Sequence, residues 1–211
     1  MKAVIFDLDG VICFTDEYHY RAWKALAEKL GIERFGREDN ARQRGVSRME
    51  SLEIVLEKSD KQYTAEEKKQ FADYKNLLYV EMLRDMSEKD LSDEVRDTLN
   101  ELRRRGVKLA IGSSSKNTPY ILERLGLGSF FDAVSDGNNI TRSKPDPEVF
   151  LKAAEFLNLP PEECYVIEDA FAGIDAGTAG GFSTVAIGEA TKHAKADFKI
   201  ERFSDILKLP F

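Results

Sequence analysis

Acidic residues follow short apolar segments at two places in the chain, in a pattern suited to binding a metal ion. Asp7 and Asp9 come directly after the apolar run of residues 2–6, and Glu168 and Asp169 follow a second run at residues 165–167. Four carboxylates gathered in one cleft would repel one another without a cation, and a set of oxygen ligands favours magnesium over zinc. The sequence therefore predicts a Mg²⁺ site that is built from these four residues.

A serine and a lysine elsewhere in the chain supply groups that can hold a phosphate beside such a metal. Ser113 follows the apolar run of residues 107–111, and Lys144 lies in a later loop. Phosphoryl transfer needs a nucleophile, neutralisation of charge on the transferring oxygens and a proton for the leaving group. Asp7 can attack phosphorus. Asp9, two residues further along an extended chain and so on the same side, can carry the proton.

Each of these features also has a purely structural interpretation. The Asp7-x-Asp9-Gly sequence could be a polar turn after a strand, and Glu168 with Asp169 could cap a helix. Lys144 could belong to a solvated loop, and residues 113–115 could form a helix-capping turn. Their occurrence in this order after successive predicted strands favours a single site over coincidence.

The elements that must position these residues alternate between two types. Short apolar runs, typical of buried strands, occur at residues 2–6, 107–111, 133–134, 165–167 and 184–187. Helical patterns lie between them at residues 94–105, 120–125 and 147–157. This alternation predicts an α/β fold with a doubly wound parallel sheet and helices on both faces. Ligands of such sheets bind beyond the carboxyl ends of the strands, where the acidic residues are expected.

One long stretch, from Asp16 to about Met86, breaks the alternation and shows helical periodicity without a convincing strand. A first helix is predicted from Thr15 or Asp16 to Leu30. Ser47 with Glu50, and Thr64 with Glu67, match the capping box that begins a helix. The sequence therefore predicts an inserted α-helical cap domain at residues 15–87, with the catalytic core at residues 1–14 and 88–211.

Composition limits the classes of partner. Of the 211 residues, 42% are hydrophobic, and the formal net charge of −7 gives no bulk attraction for nucleic acid. No apolar run approaches the roughly 18 residues that suggest a membrane span, and Asp7 and Asp9 interrupt what would be the apolar part of a signal peptide. Cys13 and Cys164 are far apart and lack metal-ligand spacing. We expect a cytoplasmic monomer with a small-molecule partner and neither nucleic-acid nor membrane partners.

The motifs FDLDGV, IGSSS, SKPDP and IEDAFAGIDA resemble those of the haloacid dehalogenase superfamily of aspartyl phosphate enzymes, over essentially the whole chain. Residues 17–32, 44–52, 74–83 and 113–117 resemble, more narrowly, the glucose-phosphate mutases of that superfamily. The resemblance implies a Rossmann-like core with a helical cap. It also implies Mg²⁺-dependent interconversion of glucose 1-phosphate and glucose 6-phosphate through an aspartyl phosphate and a sugar bisphosphate.

The same resemblance implies a role for each matching residue. Asp7 would be the nucleophile and a metal ligand, and Asp9 the general acid/base and a ligand through its backbone carbonyl. Glu168 and Asp169 would complete the metal site, and Ser113 and Lys144 would hold the transferring phosphate. The remaining matches are the second phosphate site at Arg48, Ser115, Lys116 and Asn117, the cap residues His19 and Lys75, which are tied to closure and substrate binding, and the hinge residue Thr15. The chain departs from many relatives at Phe14, where aspartate is common, and at Ala170, where serine is common.

Two other functions use similar residues. A sugar-phosphate phosphatase of the same superfamily would pass the phosphoryl group to water, and it needs one phosphate-binding end where a mutase needs two. Arg48 and the SSSKN sequence favour the mutase. A phosphoaspartate signalling module also gathers acidic residues, a hydroxyl and a lysine on a parallel sheet, but it has no use for a long helical insert after the first strand.

Overall fold

The computed structural model describes residues 1–211, and its core is a six-stranded sheet in which all paired strands are parallel. In chain order the strands are β1 Ala3–Phe6, β2 Lys108–Gly112, β3 Ala133–Ser135, β4 Cys164–Glu168, β5 Ser183–Ala186 and β6 Phe198–Lys199. The order across the sheet is β3-β2-β1-β4-β5-β6, which places β1 between β2 and β4. The predicted fold class is confirmed. The two-residue strand β6 was missed because it is too short to form an alternating or apolar pattern.

Helices pack on both faces of the sheet. Val4 and Phe6 of β1 belong to one apolar cluster, whereas Ala3 and Ile5 belong to a second one, so successive side chains are buried on opposite faces. The eight helices are α1 Asp16–Lys29, α2 Arg37–Arg42, α3 Arg48–Leu56, α4 Ala65–Leu83, α5 Asp93–Arg104, α6 Thr118–Arg124, α7 Glu148–Leu157 and α8 Phe171–Ala179. None of them combines the length and the apolar character that crossing a membrane requires.

Helices α1 to α4 follow one another without an intervening strand, and α1, α3 and α4 share an apolar cluster of their own, which includes Trp23 and Leu52. Both predicted capping boxes are present. The backbone N–H of Glu50 donates to Ser47 Oγ at 3.3 Å, and that of Glu67 donates to Thr64 Oγ1 at 3.2 Å. Helix α2 was missed because its sequence, REDNAR, has no apolar periodicity. The division at residues 15 and 87 remains a prediction about where a hinge lies.

Candidate active site

Three carboxylates meet where the central strands β1 and β4 end. The ligand oxygens of Asp7, Glu168 and Asp169 all lie within 4.8 Å of one another. The pairing of the strands explains this meeting, since Phe6 pairs with Ile167 and the backbone N–H of Asp7 donates to the Ile167 carbonyl at 3.0 Å. The sheet therefore brings together Asp7 and Glu168, which are 161 positions apart in the sequence.

Lys144 lies directly beneath these carboxylates. Its side chain is fully buried, and its Nζ donates to Asp7 and, at 2.6 Å, to Glu168. Burial alone would lower the pKa of Lys144, but the adjacent carboxylates raise it above its ordinary value. The interpretation of Lys144 as part of a solvated loop is therefore wrong, and this lysine places a permanent positive charge beside Asp7.

The carboxylates are poorly balanced by that one cation. Burial, followed by the charges of Glu168 and Asp169, raises the pKa of Asp7 well above its usual range, although Lys144 opposes this effect. Burial and the charge of Glu168 also raise the pKa of Asp169 to about 7. A divalent cation would relieve this repulsion, and an oxygen-only donor set suits a hard ion.

Gly10 leaves the room that this arrangement needs. A Cβ atom at Gly10 would lie 2.2 Å from Asp169 Oδ2, and the backbone φ of Gly10 is +93°. Any other residue would therefore displace a carboxylate and strain the backbone. The residues present fit a bound metal ion.

Asp9 faces a different set of partners. Its carboxylate accepts a hydrogen bond from Thr15 Oγ1, which in turn accepts one from the Tyr79 hydroxyl at 3.0 Å. Burial raises the pKa of Asp9, and the bond from Thr15 partly offsets that rise. The chain bends at Leu8, so the extended geometry assumed between Asp7 and Asp9 is wrong, and the Asp9 side chain is not among the grouped carboxylates.

Tyr79 was not singled out from the sequence. It lies one helical turn after Lys75 on α4, and this spacing was the available signal that the two side chains share a face. The hydroxyl of Tyr79 links the helical insert to Asp9 through Thr15.

Three cationic or titratable side chains of the helical insert face the cavity. Lys75 Nζ lies 2.9 Å from His19 Nδ1, and it also lies 4.7 Å from the centroid of the Trp23 ring. Burial, followed by the charges of Lys75 and Arg48, lowers the pKa of His19 well below its ordinary value. Burial and the charge of Arg48 likewise lower the pKa of Lys75. The smaller part of each shift comes from neighbouring cations, whose repulsion a bound anion would relieve.

The loop after β2 carries the predicted serines and turns back on itself. Its first residue, Ser113, is buried, and Ser113 Oγ accepts a hydrogen bond from the backbone N–H of Ser115 at 3.2 Å. Ser115 Oγ accepts from the backbone N–H of Asn117 at 3.2 Å. The Asn117 side chain then donates to Asn76 of α4 at 2.9 Å. The loop thus contacts both the sheet and the helical insert.

One cavity of about 1410 Å³ is lined by residues of the strand ends, of the loop after β2 and of the helical insert. Of the predicted site residues, it is lined by Asp7, Asp9, His19, Arg48, Lys75, Ser113, Ser115, Lys116, Asn117, Glu168 and Asp169. Thr15 and Lys144 lie behind the lining, where they contact Asp9 and Asp7 respectively. The cavity exceeds the volume of roughly 300 to 1,000 Å³ that is common for small-molecule sites.

Comparison with known proteins identifies the family. Residues 1–181 match the model of the haloacid dehalogenase-like hydrolases. The chain belongs to this family. The resemblance found in the motifs is therefore confirmed for the haloacid dehalogenase family.

Individual members of the family show which relatives this chain resembles most specifically. The chain is 40% identical to the β-phosphoglucomutase of Bacillus subtilis over 208 residues, which cover 98% of this chain and 92% of that protein. A crystal structure of β-phosphoglucomutase from Clostridium difficile superposes with a TM-score of 0.92 at 37% identity, covering 100% of this chain and 94% of that one. A phosphorylated carbohydrates phosphatase of Thermotoga maritima is 31% identical over 88% of this chain and 84% of its own length. The chain is thus a homologue of β-phosphoglucomutase.

Proposed function

We propose that this protein is a β-phosphoglucomutase, which interconverts β-D-glucose 1-phosphate and β-D-glucose 6-phosphate through β-glucose 1,6-bisphosphate. The proposal rests on a single cavity that is lined both by Asp7 of the sheet and by Arg48 of the helical insert. A mutase must bind a bisphosphate in both orientations and therefore needs a phosphate-holding group at each end. The 40% identity to the Bacillus subtilis enzyme supports the same assignment.

In the proposed reaction, phosphorylated Asp7 transfers its phosphoryl group to the 6-hydroxyl of β-glucose 1-phosphate. The hydroxyl oxygen forms a bond to phosphorus, its proton goes to Asp9, and the bond between phosphorus and Asp7 breaks. After the bisphosphate turns around in the cavity, Asp7 attacks the phosphorus on C1, and the released C1 oxygen takes the proton back from Asp9. Asp7 is phosphorylated again, so atoms and protons balance over the cycle.

The environment of Asp9 suits this exchange of a proton. Its partly buried carboxyl has a raised pKa, which brings the carboxyl closer to the working pH of a general acid. The hydrogen bond from Thr15 holds the carboxylate when the proton has left. We assign Thr15 to the hinge as well, because it is the residue directly before α1.

We propose Lys144 and Ser113 as the holders of the transferring phosphoryl group. The Lys144 ammonium already contacts Asp7, so its charge lies beside the oxygens that become negative during transfer. Ser113 is buried at the end of β2, next to β1, where its hydroxyl can donate to a phosphoryl oxygen.

We propose Mg²⁺ as the metal. The side chains of Asp7, Glu168 and Asp169, together with the backbone carbonyl of Asp9, would hold it. When bound, the ion supplies positive charge that offsets the negative charge of the phosphoryl oxygens and of Asp7 during transfer. The grouping of three carboxylates within 4.8 Å and the space left by Gly10 support this assignment.

For the phosphate that is not being transferred, we propose Arg48 from the insert with Ser115, Lys116 and Asn117 from the loop after β2. His19 and Lys75, whose ring and ammonium nitrogens lie 2.9 Å apart close to Arg48, are proposed to respond to substrate binding. The formal net charge of −7 leaves these local groups, rather than bulk attraction, to select a small sugar phosphate. We also propose that the protein is a cytoplasmic monomer.

An Arg48→Ala variant tests the second phosphate end. A charged hydrogen bond contributes about 1.5 to 3 kcal/mol, so isomerase activity should fall at least about tenfold. Phosphorylation of Asp7 by acetyl phosphate, which has no distal phosphate, should change much less. Arg42→Ala is the matched control, since Arg42 is an exposed arginine of the neighbouring helix that pairs with Glu57.

The alternative function is a sugar-phosphate phosphatase, which the relative from Thermotoga maritima represents. If isomerisation and phosphorylation of Asp7 fall equally in Arg48→Ala, or if neither falls, Arg48 does not hold the phosphate that is not being transferred. Either result would favour the phosphatase.

A further inference from the structure

The segment of residues 43–51, here called the cap loop, joins α2 to the first turn of α3 and carries Arg48. Gln43 Nε2 donates to the Ser51 carbonyl at 2.8 Å, which closes the segment on itself. The backbone N–H of Ser47 donates to Glu50 Oε2 at 2.8 Å within the capping box. Because both ends are tied, the position of Arg48 follows the position of the whole cap loop.

The cap loop touches the catalytic core through the backbone of Gly45. Ser114 Oγ, in the loop after β2, donates to the Gly45 carbonyl at 3.0 Å. The φ of Gly45 is +78°, and a Cβ there would lie 3.6 Å from Ala172 and 3.8 Å from Lys144. The backbone of the insert therefore lies against the layer that holds the charge partner of Asp7.

The hydroxyl of Ser114 has no assigned part in the chemistry, although the residue lies between the two serines predicted to bind phosphate. Ser113 and Ser115 use their hydroxyls as acceptors within their own loop. Ser114 instead directs its hydroxyl across the cleft to the cap loop. The same core loop makes a second cross-cleft bond, from Asn117 to Asn76, so it ties two separate elements of the insert.

We propose that Ser114 is a positioning residue, whose hydrogen bond to the Gly45 carbonyl holds the cap loop against the core and so fixes the distance between Arg48 and Asp7. The role rests on the proposed function, because it matters only if a distal phosphate must be held while Asp7 reacts. Ser114 acts through the cap loop and does not itself contact the reacting atoms.

Loss of one neutral hydrogen bond predicts a moderate effect. Ser114→Ala should weaken binding of glucose 6-phosphate by about two- to tenfold, the range expected for one such bond. Ser114→Thr, which keeps the hydroxyl, should bind within about twofold of the parent. The exposed Ser129 provides the control substitution Ser129→Ala, which should leave binding unchanged.

Trp23 offers a direct readout, since it is the one tryptophan of the chain and it lines the cavity. Glucose 6-phosphate, with Mg²⁺ present, is titrated into each variant while Trp23 fluorescence is followed. Unchanged affinity in Ser114→Ala, or equal losses in the alanine and threonine variants, would overturn the proposal.

A double-mutant cycle with Arg48→Ala tests whether Ser114 acts through the cap loop. In the Arg48→Ala background, Ser114→Ala should cause no further loss of affinity. A loss of the same size in both backgrounds would show that Ser114 does not position Arg48. The proposed function is tested by a different measurement, since it fails if the parent protein shows no isomerisation. The double-mutant cycle followed by Trp23 fluorescence depends only on binding of the phosphorylated sugar.

Discussion

Replacing Gly10 by alanine should impair the metal site far more than it impairs folding. The new Cβ would lie 2.2 Å from Asp169 Oδ2, whereas ordinary van der Waals contact begins near 3.4 Å, so the carboxylate must move by roughly 1.2 Å. A misplacement of about 1 Å can cost on the order of 10²-fold in rate. We therefore expect at least a tenfold rise in the Mg²⁺ concentration that gives half-maximal activity, with a lower maximal rate.

The positive φ of Gly10 adds a second cost that must be separated from the first. Left-handed backbone costs an L-residue about 1 to 2 kcal/mol, which for a protein of this size corresponds to a fall in Tm of about 2 to 8 °C. Gly181→Ala isolates this cost, because Gly181 has a φ of +79° and nothing within 4 Å of its added Cβ.

Gly173→Ala isolates the displacement of a carboxylate. Gly173 lies within helix α8, where alanine is intrinsically favoured, but its added Cβ would lie 1.8 Å from Glu168 Oε1. Activity as a function of Mg²⁺ concentration and thermal unfolding are measured for all three variants. A Mg²⁺ requirement in Gly10→Ala equal to that in Gly181→Ala would refute the proposed metal ligand Asp169.

Three further outcomes are expected. Asp9→Asn should slow isomerisation by about 10²- to 10⁴-fold while Mg²⁺ affinity is retained, since the proposed ligand atom of this residue is its backbone carbonyl; unchanged turnover would remove Asp9 from proton transfer. Chelation should abolish activity, and Mg²⁺ should restore it better than Zn²⁺ because the proposed ligands are all oxygen; full activity in excess chelator would exclude the metal. The pKa of His19 is lowered by burial and by nearby cations. The unfolded chain therefore binds a proton on His19 near pH 6.5, whereas the folded chain does not. Because protonation then favours the unfolded state, the free energy of unfolding should fall on acidification below about pH 6.5. Thermal unfolding at several pH values should show a smaller fall for His19→Asn, and an identical fall would mean that His19 is not held neutral.

The sheet and the positions of its strand ends could be predicted from the sequence because local signals were strong. β1 and β4 are apolar runs followed at once by acidic residues, and parallel pairing then brings Asp7 to Glu168 without further information. Helix starts at Ser47 and Thr64 were likewise predictable, because a capping box is a local pattern.

Contacts between distant segments could not be predicted in this way. The partner of Asp9 depends on a bend at Leu8, and a bend changes which way a side chain points even where the strand itself is correctly predicted. The link from Tyr79 to Thr15 and that from Ser114 to Gly45 join residues 64 and 69 positions apart. Serine and tyrosine are common in unrelated contexts, so their types carried no signal of these bonds.

Isomerisation and phosphate release can be compared in one coupled assay on β-glucose 1-phosphate, with Mg²⁺ and a small amount of β-glucose 1,6-bisphosphate, that records glucose 6-phosphate and free phosphate in the same reaction. For a mutase we expect glucose 6-phosphate to form much faster than phosphate is released, and we expect Asp7→Asn to abolish both. Release of phosphate at a rate equal to or above that of isomerisation would contradict the proposed mutase function and identify the protein as a phosphatase.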